Sequence, residues 1–312
     1  MAPLVWAHSE SPRNHMTKPY DHHTKAGNQG DLVKHVALIA ALRAEWVTRP
    51  SRHRSYADLF AGYAHNPIPP GGSWEHGIGV VRAHLDAGIE VTNPDVERWS
   101  RWYVTPRPEL QTGVYPGSSV IAHDTAASLG IAVHLSLWDT SPRCVESLSV
   151  LFGRAPHRVH GRKAQIDDEG VRTADFVLLD PPDKNAWPMI QSVLQAGKTT
   201  NQSALVWLPV AAGDGEALED QASIRCRHDA QAEGCEVKQV CWDASTSRTI
   251  GCLLAYRLSL AGRHAVRAAI REVVSLAGWV GRAQIPAVEV FDKSCACSAV
   301  ANIVQTRITR SA

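Results

Sequence analysis

The chain has 312 residues, a length that suits one large domain or two small ones. Hydrophobic residues make up 44% and charged residues 20%, the balance of an ordinary globular protein, and a formal net charge of +1 gives no overall electrostatic preference for nucleic acid. The seven cysteines are odd in number and form no CxxC pair, so we expect reduced thiols and no metal centre. No apolar stretch is long enough to cross a bilayer and the polar N-terminus has no signal-peptide core, so we expect a cytoplasmic protein without membrane contact.

Three segments of different composition divide the chain. Residues 1–19 are polar and contain prolines, which predicts a flexible leader. Residues 20–280 carry the regular patterns and are expected to form one domain, whereas residues 281–312 form a tail without a strong pattern. All of the motifs described next lie within residues 20–280.

Apolar segments alternate with helical patterns through most of this domain. Residues 30–46 place apolar side chains at near-helical spacing behind Asn28 or Asp31, either of which is placed to cap the helix. A second helix is predicted at about 263–277. Strands are predicted at 54–63, 131–142, 158–160, 174–180 and 203–210, with a closing pair at 235–242 and 251–260. This alternation predicts an α/β fold with a largely parallel sheet.

Residues 65–114 interrupt the alternation. The segment begins with NPIPPGGS and contains amphipathic runs near 75–87 and 94–103. We interpret it as a helical insertion after the first strand. Because insertions and loops carry specificity, it is a candidate for substrate recognition.

Several predicted strands end in an acidic residue. Asp58 ends the first strand shortly before Gly62, Asp139 follows the second and Asp180 the fourth, while a glycine turn opens a helix at Ser118. Ligands of open α/β sheets bind at the carboxyl ends of the strands, so these features predict a ligand site. The first turn is not the GxGxxG of dinucleotide sites, which favours a nucleoside with a short charged tail, S-adenosylmethionine in particular.

Residues 20–35, YDHHTKAGNQGDLVKH, resemble the N-terminal signature of the RlmJ-like methyltransferases, which methylate adenine N6 in 23S ribosomal RNA. The segments YADLFAG, YPGSSVIA, LLDPPD, ALVWLPV and RTIGCLLAY follow in the order found in that family, so the resemblance spans about residues 20–280. It implies a Rossmann-like class I methyltransferase fold, with a mostly parallel, doubly wound sheet.

The resemblance also implies roles for individual residues. His35 and its neighbour Lys34 would lie at the cofactor, Asp180 would be both a cofactor neighbour and the catalytic residue, and Tyr20 would lie near the substrate entrance. Together with the strand ends and turns, the predicted cofactor-binding residues are Lys34, His35, Asp58, Phe60, Gly62, Ser118, Trp138, Asp139 and Asp180.

The Asp180-Pro181-Pro182 segment suits transfer of a methyl group to an exocyclic amine. Such an amine is a weak nucleophile because its lone pair is delocalised into the ring. Asp180 can accept one amine hydrogen and the Pro181 carbonyl the other, and the two prolines hold these acceptors still because each has a fixed φ and no N–H. We therefore predict Asp180 and Pro181 as the catalytic pair.

Residue 183 departs from the family pattern. The family has Asp-Pro-Pro-Tyr, whose ring stacks on the flipped base, and here the fourth residue is Asp183. Three hypotheses follow: adenine N6 in ribosomal RNA with a stacking ring from Trp187, Tyr63 or the insertion; a small-molecule N- or O-methyltransferase; or an inactive homologue that binds cofactor or RNA. We favour the first, with Tyr20, Asp183 and Trp187 as substrate residues.

Overall fold

The computed structural model describes residues 25–49, 52–104, 113–211, 220–241, 249–280 and 290–291. The predicted leader, Tyr20 and nearly all of the predicted tail lie outside these ranges. Within them, no helix is both long and apolar enough to cross a membrane.

A twisted sheet forms the centre of the molecule, and a small two-stranded sheet lies apart from it. The strands are β1 His53–Asp58, β2 His65–Pro67, β3 Val114–Pro116, β4 Ala132–Trp138, β5 Arg158–His160, β6 Phe176–Leu179, β7 Ser203–Ala211, β8 Glu236–Cys241, β9 Thr249–Arg257 and β10 Val290–Phe291. The order across the central sheet is β10-β8-β9-β7-β6-β1-β4-β5, and β2 pairs with β3.

The chain enters this sheet at its middle. From β1 it moves outward to β4 and β5, and then returns to the other side of β1 to add β6 and β7, all of them parallel. Strand β9 runs antiparallel between β7 and β8, which confirms the predicted closing pair. The direction of winding reverses between β1 and β6, and the crevice at such a switch point is where open α/β sheets bind their ligands.

Helices cover both faces of the sheet, which confirms the predicted doubly wound, mostly parallel architecture. The helices are α1 Gln29–Val47, α2 Ile78–Asp86, α3 Pro94–Tyr103, α4 Ser118–Ser128, α5 Pro142–Phe152, α6 Glu169–Arg172, α7 Trp187–Thr200, α8 Gln221–Ala232 and α9 Leu260–Val280. On one face α1 packs against α4 and α9 over one apolar cluster, and on the other α7 and α8 pack over a second.

Helix α1 begins where the sequence predicts a cap. The Asn28 side chain accepts a hydrogen bond from the backbone N–H of Asp31 at 2.9 Å, which satisfies one of the donors that a helix start leaves unpaired. The helix is buried on nearly every side, including its polar residues Lys34 and His35. Because burying an ionisable group costs free energy unless it is paired, these two side chains require partners.

The predicted helical insertion is present as β2, a 3-10 turn at Ser73–His76, α2, α3 and β3. Trp99 of α3 is fully buried and belongs to the same apolar cluster as α1, so the insertion packs on the main core. At the C-terminal side, α9 continues to Val280, three residues beyond its predicted end, and Val290–Phe291 pairs with β8 in a segment without a predicted strand.

Candidate active site

The turn after β1 lies in the crevice between its two neighbouring strands. The backbone N–H of Leu59 donates to the Leu178 carbonyl of β6 at 3.2 Å, and that of Ala61 donates to the Trp138 carbonyl of β4 at 2.9 Å. The three acidic residues predicted from the strand ends therefore lie along one edge, since Asp58 ends β1, Asp139 follows β4 and Asp180 follows β6.

Asp180 is held by a lysine from α1. Its Oδ2 lies 2.5 Å from Lys34 Nζ, which also lies 2.8 Å from Asp31 Oδ1. Burial alone would lower the pKa of Lys34, but the charges and hydrogen bonds of Asp180 and Asp31 outweigh it and raise that pKa above its usual value. The ammonium is therefore charged at any physiological pH and keeps both carboxylates in place.

Asp58 is buried completely beneath this pair. Its Oδ2 accepts hydrogen bonds from Ser118 Oγ at 2.6 Å and from the Tyr56 hydroxyl at 3.1 Å, and its Oδ1 accepts from the Phe60 N–H at 3.3 Å. Burial raises the pKa of Asp58 to about 6, with a further contribution from the charge of Asp180, although the hydrogen bond from Ser118 opposes the shift.

Replacing Asp58 with asparagine is expected to change how stability depends on pH. The folded pKa of about 6 exceeds the ordinary value of 3.8, so the stability that Asp58 contributes is present below about pH 4 and lost as pH rises through about 6. As pH rises between these limits, the free energy of unfolding of Asp58→Asn should therefore increase by up to about 3 kcal/mol relative to that of the native chain. Urea unfolding at both pH values measures this difference. A difference that does not vary with pH would contradict the buried, titrating carboxyl.

Asp139 binds backbone N–H groups of the turns that follow β1 and β4. Its half-buried carboxylate accepts from the Gly62 N–H at 3.0 Å and from the Ser141 N–H at 2.7 Å. Each carboxylate oxygen has two acceptor positions, so both retain one for a ligand hydroxyl. Gly62 has φ +62°, a conformation that favours glycine, and the space where a side chain would begin is open to 4 Å.

Ser118 and His35 are both more enclosed than the sequence suggests. The start of α4 passes so close to the preceding turn that a Cβ on Gly117 would lie 2.1 Å from the Tyr63 carbonyl oxygen. Ser118 is 7% exposed and its hydroxyl is committed to Asp58. His35 is 3% exposed, and its Nδ1 lies 2.8 Å from the Tyr115 hydroxyl.

Asp183 lies on the surface beside the crevice. Its carboxylate accepts from the Asn185 N–H at 2.7 Å and so caps the 3-10 turn Lys184–Ala186. Lys184 in turn contacts Asp220, at the start of α8, at 2.6 Å. Burial would raise the pKa of Asp220, but the hydrogen bonds from Lys184 and Ser223 lower it to about 2. Asp220 is therefore charged at neutral pH and keeps its ion pair with Lys184.

Two predicted aromatic residues lie in the core instead of facing the crevice. Trp187 is 6% exposed, packs in the cluster beneath α7 and donates its Nε1–H to Asp229 at 2.9 Å. That position does not fit the stacking role suggested for it, because the ring has no open face. The Trp138 ring is 1% exposed and stacks on His160 at 4.6 Å, so only the backbone of Trp138 reaches the edge. Phe60 is half-buried against the same cluster.

The structure adds three residues for which the sequence analysis predicts no role in the site. Asp31 pairs with Lys34, Tyr115 contacts His35, and the half-buried Trp207 ring centroid lies 5.6 Å from the Lys34 ammonium. The i, i+3 spacing of Asp31 and Lys34 on α1 was an available signal. Among the described residues, no group of three or more metal-ligating side chains is arranged to hold an ion.

Comparison with known proteins shows the fold. A protein of Legionella pneumophila described as DUF519 superposes with a TM-score of 0.64 at 14% identity, over 87% of this chain and 100% of that one. This chain therefore has the same fold as the Legionella pneumophila protein.

Two other solved structures superpose much more weakly. Fibrillarin of Aeropyrum pernix, solved with natively bound S-adenosylmethionine, gives a TM-score of 0.31 at 14% identity over 43% of this chain and 61% of that one. The N-methyltransferase NodS of Bradyrhizobium japonicum gives 0.32 at 10% identity over 73% and 96%. TM-scores at this level support no assignment of residue roles. No protein-family model and no curated protein matches the sequence.

Proposed function

We propose that this chain is an S-adenosylmethionine-dependent methyltransferase that transfers a methyl group to an exocyclic amine, adenine N6 in ribosomal RNA. The observation that carries the proposal is Asp180-Pro181-Pro182 at the end of β6, beside the acidic ends of β1 and β4 at the switch point of the sheet. The resemblance of the chain to the RlmJ-like methyltransferases supports the substrate. A Rossmann-like sheet of this order supports the class of enzyme.

The charges at the edge suit this cofactor. Asp31 and Asp180 share the single ammonium of Lys34, and Asp58 lies close enough to Asp180 for that charge to raise its pKa, so acidic groups outnumber the cation at this edge. The sulfonium and ammonium groups of S-adenosylmethionine would offset this imbalance. Asp139 retains acceptor positions for two ribose hydroxyls, and no atom lies within 4 Å of the point where a side chain at Gly62 would begin, so the backbone there is open to a ligand.

Asp180 and Pro181 are the residues proposed to bind the amine that receives the methyl group. The bound cofactor supplies an electrophilic methyl group on a positively charged sulfur. Lys34 engages Oδ2 of Asp180, so Oδ1 is the oxygen placed to accept one hydrogen of the incoming amine. The carbonyl of the buried Pro181 would accept the other, and the two acceptors together would orient the nitrogen lone pair for attack.

Replacing Asp139 with alanine is expected to weaken cofactor binding by more than tenfold. A hydrogen bond from a hydroxyl to a charged acceptor contributes about 1.5–3 kcal/mol, and the variant also loses the carboxylate that fixes the turn at Gly62. Calorimetry with S-adenosylhomocysteine measures the change. The exposed carboxylate of Asp167 provides a matched control, since Asp167→Ala should leave the affinity unchanged.

A second candidate is a small-molecule methyltransferase, which the exposed carboxylate of Asp183 favours because it repels phosphate and attracts a cation. Two substitutions separate the candidates. Asp183→Asn removes the charge but can still cap the 3-10 turn, whereas Asp183→Tyr adds a ring that would stack on a base with about 1–3 kcal/mol.

On the RNA proposal, both Asp183 variants should retain or increase transfer of labelled methyl groups to unmodified 23S RNA fragments. That transfer should fall steeply with added salt, because phosphate contacts release counterions. The control is Asp167→Tyr, which adds a ring elsewhere on the surface. Inert RNA, together with a small amine whose methylation both Asp183 variants abolish, would contradict the RNA substrate while leaving the methyltransferase proposal intact.

A further inference from the structure

A buried chain of polar atoms runs from the insertion to α1. Trp99 Nε1 lies 3.2 Å from the Tyr115 hydroxyl, which lies 2.8 Å from His35 Nδ1. Trp99 and Tyr115 are fully buried and His35 nearly so, and the His35 and Tyr115 rings stack with centroids 5.4 Å apart. Water does not reach these contacts, so the direction of each hydrogen bond depends on the protein alone.

The first bond sets the direction of the second. An indole N–H can only donate, so the oxygen of Tyr115 accepts from Trp99. Tyr115 has one hydroxyl hydrogen, and His35 Nδ1 is the acceptor that lies within reach of it. If Nδ1 carried the imidazole proton instead, the phenol hydrogen would be a buried donor with no acceptor among the described residues, which disfavours that arrangement by at least about fivefold.

We propose that Tyr115 and Trp99 are positioning residues that hold His35 in the tautomer with its proton on Nε2. The Nε2–H then donates to an oxygen of the bound cofactor. This second step rests on the proposed function and on the cofactor contact that the resemblance to the RlmJ-like methyltransferases implies for His35. Because Trp99 belongs to α3, the insertion contributes to the cofactor site without touching the ligand itself.

The tautomer is measured directly in the ligand-free protein. Two-bond ¹⁵N–¹H correlations of histidine-labelled chain distinguish the two ring nitrogens, and His35→Gln identifies the His35 signals among the 15 histidines. The native chain should show a protonated Nε2 and an unprotonated Nδ1. Tyr115→Phe keeps the ring stacking but removes the hydroxyl, and should give a mixture of tautomers, with Trp99→Phe between the two. A native Nδ1–H tautomer, or no change in Tyr115→Phe, would overturn the proposal.

Cofactor affinity provides a second readout. Tyr115→Phe should weaken S-adenosylhomocysteine binding about threefold to tenfold in calorimetry, because the variant loses the one neutral hydrogen bond that orients His35. In a His35→Gln background, whose side-chain amide supplies a donor without tautomers, the same change should have no further effect. An equal effect in both backgrounds would assign Tyr115 a packing role only and reject the proposal.

The His35 tautomer and cofactor binding are measured independently of each other. If the native chain does not bind S-adenosylhomocysteine at all, the proposed function fails, while the tautomer measurement still decides whether Tyr115 directs His35. If the native chain binds the ligand but the His35 tautomer does not respond to Tyr115→Phe, the positioning proposal fails and the proposed function stands.

Discussion

Replacing Asp180 with asparagine is expected to lower kcat for methyl transfer at least about a hundredfold, the usual minimum for loss of a positioned proton acceptor. Because the Lys34 ammonium can only donate, it holds the single carbonyl oxygen of the asparagine amide. The NH2 group, which cannot accept an amine hydrogen, then faces the acceptor, and the contact with Lys34 weakens with the loss of charge. Single-turnover transfer from labelled S-adenosylmethionine measures the effect.

Two controls accompany this variant. The first is the affinity of Asp180→Asn for the cofactor, and the second is Asp167→Asn, which neutralises a carboxylate on the exposed surface. Asp180→Asn should bind S-adenosylhomocysteine within about tenfold of the native chain, because Asp58 and Asp139 remain. A variant that retains more than a tenth of the native kcat would exclude Asp180 as the catalytic acceptor.

Replacing Lys34 with methionine is expected to destabilise the fold by about 3–5 kcal/mol at neutral pH, since removing one partner of a buried ion pair leaves the other charge uncompensated. Here two carboxylates, Asp31 and Asp180, lose their shared cation. Urea unfolding at neutral pH measures the difference.

A surface lysine provides the matched control. Lys198 contacts Glu233 at 2.7 Å but its side chain is 42% exposed, so Lys198→Met should cost less than about 1 kcal/mol. The double variant Lys34→Met/Asp180→Asn should recover part of the stability lost in Lys34→Met, because one of the two stranded charges is removed. Equal losses from Lys34→Met and Lys198→Met would contradict the buried triad.

The sheet and its acidic edge were predictable because both depend on local pattern. Apolar strands that end in Asp58, Asp139 and Asp180 mark their own carboxyl ends, and the switch-point rule then brings these ends together. The cap at Asn28 was equally local, since its partner Asp31 lies three positions away.

The contacts that organise the site could not be predicted, because their partners are distant in sequence. Lys34 and Asp180 are separated by 146 positions, and Ser118 and Asp58 by 60. The placement of Trp187 also depends on a partner that is distant in sequence. Trp187 was predicted as a substrate residue that could stack on a base, but its ring lies in the core, where Asp229 of α8, 42 positions away, accepts its N–H.

Trp207 is a further case in which local pattern was insufficient. A tryptophan in the apolar segment ALVWLPV is typical of a core residue, yet its ring is half-buried and lies beside the Lys34 ammonium. Strand β7 extends beyond β6, since Leu179 pairs with Val206, so Trp207 lies level with the catalytic segment. Register between strands decides this placement.

Binding of S-adenosylmethionine and S-adenosylhomocysteine to the full chain, measured by isothermal calorimetry, tests the central claim most directly. The claim is that the acidic edge formed by Asp58, Asp139 and Asp180 holds this cofactor. We predict one site per chain for each ligand and an affinity reduced more than tenfold in Asp139→Ala. An absence of binding heat for both ligands at millimolar concentration, with the native fold intact by circular dichroism, would contradict it.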